Sequence, residues 1–442
     1  MPASRRKKGK KKIKENYNKE KEQPQEEQVE PVKNKSIISL VAFAFSITIV
    51  FISIIPIVFP ALLVSSASSL DEISINPWEM GGLAMPLIVI NVLFLLFGIA
   101  YFKNKLPTWV KKLVQNLLNF DISKKTALIV LGVILLIYTA VSAVELSQDE
   151  TFGDFINVEK RAENFGVDNV SGKIIFLVKF FLLSSSIALF DNIRVIPLIA
   201  SVAALTVTYL LTVKISQKRF AGLVSVMVVI QSYTFLKYDT TATYENFWIL
   251  FYLISLYSLY RIWPASPISY ILSVLSKSLT VAFLPLTLFF IYRANLPKKT
   301  KVLSIIPYIA ILIGGVIMVS VFNLDLIGIA DVTVTQTERI EPFNAVDFWQ
   351  GFSSAAFMLR FDVILLLLIL PLIVGLYLAS RKGVLQADAV MILIAGTLLV
   401  APLLTGLTYM TNLPYRFVPL IFFFAIGIGT LLAKRAEFSK VD

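Results

Sequence analysis

Apolar runs long enough to cross a bilayer recur along the chain from Ser36 to Lys434, each bounded by short charged stretches. A run of 18 or more apolar residues reads as a membrane-spanning helix. The pattern places spans near 37–63, 82–101, 126–145, 195–213, 219–236, 246–262, 267–278 with 280–292, 302–321, 354–379, 388–408 and 414–433. It therefore predicts an all-α, polytopic transmembrane helical bundle of about twelve crossings. Within 267–292, Lys277 interrupts the run and leaves two pieces of about 12 residues, each about 18 Å long. Neither piece spans ~30 Å of hydrocarbon. Interrupted helices persist only inside protein or along a wet cavity, so a site is expected there.

Orientation follows from the loops. Lys103, Lys105, Lys111, Lys112, Lys124 and Lys125 lie between the second and third spans. Lys214, Lys218, Arg219, Arg261, Lys298, Lys299, Lys301, Arg381, Lys382, Lys434 and Arg435 fall on the same side when the spans alternate. Basic loops face the cytoplasm, which puts both termini there. The opposite loops are acidic, with Asp71, Glu72 and Glu79 in one and Asp149, Glu150, Asp154, Glu159, Glu163 and Asp168 in the next. The alternation closes only if the apolar stretch Gly172–Phe190 does not cross, so it is expected to lie along the outer interface. Leu106, Trp109, Val110, Leu113, Leu117 and Leu118 repeat at helical spacing opposite Lys111 and Lys112, which predicts a second interfacial helix on the cytoplasmic side.

Composition narrows this picture. The 442 residues are 57% hydrophobic with a formal net charge of +12, and the mean hydropathy is +0.76. Residues 1–35 carry twelve Lys or Arg against six Glu and so hold half of the net charge. Poor in large apolar side chains, this tail reads as a disordered basic cytoplasmic arm. It serves either to meet anionic headgroups or only as a topology signal, and no nucleic-acid partner is expected. The first apolar run far exceeds a signal-peptide core and ends without a cleavage site, so it is expected to remain as an anchor. The chain then divides into the tail 1–35, an accessory N-terminal hairpin 36–102, a cytoplasmic interfacial helix within 103–125, a core 126–433 with outer loops 146–194 and 322–353, and a tail 434–442. Asn169-Val170-Ser171 is a glycosylation sequon compatible with an outer loop. Cys and His are absent, leaving carboxylates, Lys, Arg, Tyr and hydroxyls for any chemistry.

The most informative local pattern is Glu145-Leu-Ser-Gln-Asp149-Glu150-Thr-Phe-Gly-Asp-Phe at the outer end of the third span. Two adjacent carboxylates beside Phe152 and Phe155 could take a proton from a hydroxyl, or could form an ordinary solvated acidic loop. Trp349, Tyr233, Tyr238 and Tyr409 lie near outer span ends where a sugar could stack, and an aromatic belt accounts for them equally well.

Six motifs in order resemble the GT-C superfamily of integral membrane glycosyltransferases, nearest to protein O-mannosyltransferases and lipid A aminoarabinose transferases. They are the acidic pair Asp149-Glu150, Arg194-Val-Ile-Pro197, Tyr209-Leu-Leu with Lys218-Arg-Phe-Ala-Gly222, Thr241-Ala-Thr-Tyr-Glu245 running to Tyr260-Arg261, Leu275-Ser-Lys277-Ser with Phe283-Leu-Pro285, and Pro414-Tyr-Arg416-Phe-Val-Pro419. The resemblance covers about residues 126–433. It implies a donor sugar on a polyprenyl phosphate, transferred with inversion to a protein, lipid or glycan acceptor in an outer-face cavity of a plasma or endoplasmic reticulum type membrane. It implies Asp149 as the base and Glu150 as a supporting carboxylate. Lys277, Arg416, Arg360 and Arg194 are the cations available to the leaving phosphate. Arg360 has a local ion pair with Asp362 as its competing reading, and Arg194 an interfacial anchor. Glu245 stands where relatives often carry Asp, which leaves its role open. The chain departs from the family in lacking His, in lacking a Trp-Trp-Asp motif, and in its first two spans.

No metal-ligand spacing occurs, so no cofactor is indicated, although the acidic residues leave a divalent metal open. Two other function classes fit parts of the pattern. Broken helices with buried charges also mark a transporter or lipid flippase, which would be expected to show internal repeats. A non-catalytic subunit of a membrane complex would keep Asp149 and Glu150 apart from Lys277 and Arg416.

Overall fold

The computed structural model describes residues 35–63, 76–103, 105–166, 176–322, 343–408 and 414–433. The basic arm up to 34, Asp71, Glu72, Asp168, the sequon, Tyr409, most of the loop 322–353 and the tail 434–442 lie outside them. The described residues from Ile38 onward form one compact unit. In chain order the helices are α1 (Lys35–Val58), α2 (Ala84–Phe102), α3 (Thr108–Asn119), α4 (Lys124–Ser142), α5 (Phe155–Glu163), α6 (Leu177–Phe190), α7 (Val195–Ser216), α8 (Arg219–Ile230), α9 (Tyr233–Tyr238), α10 (Phe247–Ser258), α11 (Ala265–Ser276), α12 (Leu284–Arg293), α13 (Lys298–Phe322), α14 (Ala345–Leu359), α15 (Val363–Arg381), α16 (Gln386–Thr408) and α17 (Val418–Leu431). Among the described residues there is no strand.

Seven of the described helical stretches are long and apolar enough to cross a membrane: Ile37–Val58, Ala84–Tyr101, Lys124–Ser147, Val195–Ser216, Val363–Arg381, Gln386–Leu407 and Pro414–Leu431. Two of these helices show why the chain needs lipid. Around α2, Val92, Leu93, Phe94, Leu96 and Phe97 are all exposed, a surface that only a hydrocarbon solvent tolerates. Along α17, Val418, Leu420, Phe422, Phe423, Phe424 and Ala425 are all buried, as expected of a helix apolar on every side at the centre of a bundle. The chain is thus an integral membrane protein.

Small residues bring the central helices close. Gly429 of α17 packs against Thr212 of α7 and against Ser225 and Ala221 of α8, and the Ser225 hydroxyl donates across the interface to the Ala425 carbonyl at 2.8 Å. Prolines inside α1, α13, α15 and α16 are tolerated because neighbouring groups can satisfy the freed backbone.

The apolar run 267–292 folds as two short helices, α11 and α12, that part at Lys277, whose backbone is extended (φ −157°, ψ 120°). A 3-10 turn, Ser278–Phe283, joins them. The run expected as one span at 354–379 is instead divided between α14 and α15. The physical reason is Asp362, buried and non-helical (φ −105°, ψ 73°), whose carboxylate accepts the Thr234 hydroxyl and its backbone N–H. Helix α6 has 14 residues, about 21 Å of helix, and ends on Asp191 in the left-handed region (φ 52°), a conformation Asp tolerates.

Two sets of helix ends meet at opposite ends of the central helices. At one, Lys214 lies over the Tyr260 ring at 5.7 Å, Tyr260 meets Phe290, and Arg293 pairs with buried Asp388. Ser39 of α1 donates to the same carboxylate at 2.8 Å and meets Ser380 of α15 at 3.0 Å. The opposite ends of α7 and α10 lead to the segment 239–246.

Candidate functional site

The segment Asp239–Asn246, between α9 and α10, is buried over nearly its whole length although six of its eight residues are Asp, Thr, Glu or Asn. Buried polar groups must find partners, and here the partners come from four separate parts of the chain. Asp239 accepts the Tyr138 hydroxyl at 2.7 Å and the Ser142 hydroxyl at 2.8 Å, both from α4. Its carbonyl accepts Ser201 Oγ of α7 at 2.6 Å, and Ser201 in turn accepts from Asn246 at 3.1 Å. Burial pushes the Asp239 carboxyl up to about 6, against the two hydroxyl donors that favour its ionised form.

The acidic loop is fastened to the same segment. Glu150 takes the backbone N–H of Ala242 at 2.8 Å and of Thr243 at 3.0 Å, one on each carboxylate oxygen. Thr240 donates to Glu145 at 3.0 Å, and Tyr244 donates to Asp154 at 3.2 Å. Arg194, buried at the start of α7, donates to the carbonyls of Glu145 and Gln148 at 2.6 Å each, to the Thr240 carbonyl at 3.1 Å and to its hydroxyl at 2.8 Å. The Arg194 guanidinium thus clamps two loops together, and the interfacial-anchor reading does not describe it. Asp149, next to Glu150, is exposed and makes no hydrogen bond or ion pair with the described residues.

Cations gather on the far side of this segment. Lys179 of α6, buried, pairs with Glu245 at 2.8 Å and donates to the Thr243 carbonyl at 2.7 Å. Tyr244 stacks on Tyr415 with centroids 4.3 Å apart and planes 14° apart. Lys277 covers the Tyr415 ring with its ammonium 3.7 Å from the centroid, and the Trp248 ring lies 5.6 Å from it. Arg416 hydrogen-bonds the Tyr415 hydroxyl. Glu245, Lys179 and Arg416 are all within electrostatic reach of Lys277. Among the described residues the Lys277 ammonium therefore has aromatic faces but no hydrogen-bond acceptor.

The structure thus assembles Glu150, Glu245, Lys277 and Arg416 around one segment, with Asp149 at its rim and Arg194 beneath. Arg360 stands elsewhere: it is exposed, and its guanidinium lies 5.0 Å from the ring of its own neighbour Phe361. Phe361 and Asp362, with Gln231 and Ser232, line an open cleft between α8, α15 and α17. A smaller cleft shares Phe361 and reaches Tyr238 and Pro414. Tyr238 belongs to the same aromatic group, edge-on to Tyr415 at 6.2 Å and stacked with Phe152 at 5.6 Å.

Sequence reasoning assigned no role to Lys179 or Asp239. Lys179 is the one charge within Ile174–Phe190, which is a signal, since an ionisable residue in an apolar run is costly unless partnered. Asp239 gives no comparable signal, because an acid at the end of an apolar run is ordinary. Among the described residues no group of three or more Asp or Glu side chains is arranged to hold a metal. No protein-family profile, curated protein or solved structure matches the chain.

Proposed function

We propose that the chain is a glycosyltransferase that moves a sugar from a polyprenyl-phosphate donor to an acceptor at the outer or lumenal face of its membrane. The observation that carries this reading is the Lys277 ammonium, held over Tyr415 and Trp248 with Lys179, Arg416 and Glu245 within electrostatic reach. A lysine ammonium whose contacts among the described residues are ring faces can take an anion, and the resemblance to GT-C enzymes supplies one, the leaving lipid phosphate. In the transfer the acceptor oxygen bonds to the anomeric carbon, the bond from that carbon to the phosphate oxygen breaks, and Asp149 takes the acceptor's proton. Glu150 fixes the acidic loop, and with it the exposed Asp149, to the 239–246 segment. Arg194 acts as a positioning residue, and Arg360, exposed beside Phe361, takes no part in the step. Protein, lipid and glycan acceptors all remain open, and no cofactor is required by this step.

The same reading includes about twelve crossings, with both termini in the cytoplasm and 172–190 at the outer interface. In support, Lys214, Arg219, Arg293 and Arg381 all sit at helix ends away from the 239–246 segment. A lipid flippase would also use a broken helix pair and a phosphate site, and one assay separates the two. Full-length protein in vesicles with radiolabelled polyprenyl-phosphate sugar should form a glycosylated acceptor. Asp149→Asn should lower that rate by about 10²- to 10⁴-fold, the usual worth of a general base. Undiminished transfer in the variant removes Asp149 from the mechanism. Movement of intact donor across the bilayer without any transfer selects the flippase.

A further inference from the structure

Helix α3 connects two long apolar helices, α2 and α4, and none of its residues is buried. Trp109, Leu113 and Leu117 are 70, 58 and 45% exposed and, at spacings of four, form one stripe. A lone twelve-residue helix with such a stripe is marginal in water, so the stripe calls for a covering. The flanks say what kind. Between 103 and 125 the chain carries Lys103, Lys105, Lys111, Lys112, Lys124 and Lys125 against one acid, Asp121. That acid is engaged: it accepts the backbone N–H of Arg219 at 2.9 Å and of Phe220 at 3.0 Å, capping α8. Lys218 donates to the Leu118 carbonyl, and Phe120 meets Phe220 edge-on at 4.9 Å. The C-terminal end of α3 is therefore fixed to the N-terminal end of α8, while its apolar stripe stays exposed.

We propose that α3 is a docking surface for the anionic headgroups of the leaflet that α2 and α4 enter, with Trp109, Leu113 and Leu117 at the acyl boundary and Lys111 and Lys112 against the headgroups. Two observations choose the membrane over another occupant. The helix is tethered at both ends to helices of membrane-crossing length, five residues or fewer from each, which holds it at the bilayer surface. Its lysines have the sign that anionic lipid attracts, and their one neighbouring acid is already taken. This surface does not rest on the transferase reading.

Hydrogen exchange of the backbone amides of 108–119 tests it on the full-length chain, reconstituted in vesicles of phosphatidylcholine alone or mixed with phosphatidylglycerol. Protection should be roughly thirty-fold higher in the mixed vesicles, the effect of two lysines at the usual strength of headgroup attraction. Amides of α17 should not differ between the two lipids. Lys111→Gln with Lys112→Gln should abolish the gain, and both side chains lie outside the packed core, so the fold is kept. Equal protection in the two lipids overturns the proposal. So does protection in detergent that rises with protein concentration, which would give the stripe to a second copy of the chain. The lipid comparison on the unmodified chain stands whether or not the double variant is made.

Discussion

At the scale of single residues, the strongest constraint is that charges inside this protein need partners. Asp239, Glu245 and Arg194 find theirs within the chain, whereas among the described residues Lys277 finds only rings. Replacing Lys277 by Met keeps the side chain's length over Tyr415 and removes the charge. Binding of a short-chain polyprenyl phosphate to the detergent-solubilised protein should then weaken by about 10- to 100-fold, the worth of one hydrogen bond to a charged group, and Lys277→Arg should retain part of it. An unchanged affinity in the Met variant would detach the anion from this lysine. Asp239 makes the complementary prediction. Its carboxyl lies at about 6 when folded against an ordinary 3.8, so the folded state holds the proton more tightly. That contribution to stability is complete below about pH 4 and is lost as pH rises through about 6, a change of about 3 kcal/mol for a shift of this size. Asp239→Asn removes the titration. Its unfolding midpoint should therefore gain on the parent's between about pH 4 and pH 7, and two parallel curves would show that burial of this carboxyl carries no such penalty.

At the scale of elements, helix packing depends on a few places where a backbone comes very close to its neighbour. A methyl group at Gly429 would meet Ser225 and Thr212 side chains and would stand 2.9 Å from the Ala221 carbonyl oxygen. Gly429→Ala should destabilise by about 1–3 kcal/mol, as overpacking of a core does, seen as a lower thermal unfolding midpoint in detergent. Gly98→Ala on the exposed α2 helix, where nothing lies within 4 Å, should be neutral, and equal effects would mean that α7, α8 and α17 can part at little cost. The sequence made some of these elements legible and left others hidden, for a physical reason. The break at Lys277 could be read because a charge in an apolar run is a local event. The break at 360–362 was passed over, because Arg360-Phe-Asp362 reads equally well as an ion pair within one helix; what ends the helix is Thr234, 128 residues away. The 239–246 segment was likewise legible only as a motif. Its role comes from bonds to residues 38 to 101 positions distant, and periodicity carries no information about such pairings.

At the scale of the whole molecule, the catalytic proposal requires that Asp149, Glu245, Lys277 and Arg416 face one side of the membrane and the basic loops the other. Alternation of the spans leads to that arrangement only when 172–190 does not cross. The chain contains no cysteine, so a single introduced thiol reports its own side without a cysteine-free background. Gly153 is exposed in the acidic loop, and a side chain there would meet nothing within 4 Å. Lys299 is exposed at the start of α13. In intact cells a membrane-impermeant maleimide should label Gly153→Cys at once and Lys299→Cys only after permeabilisation. Should both positions label from outside, an odd number of crossings is missing between 153 and 299, and the interfacial placement of α6 is the first assumption to yield. Labelling of Lys299→Cys alone would invert the protein and set the cation cluster facing the cytoplasm. The donor would then have to present its sugar from the cytoplasmic leaflet, and the outer-face transferase reading would fall with the topology on which it depends.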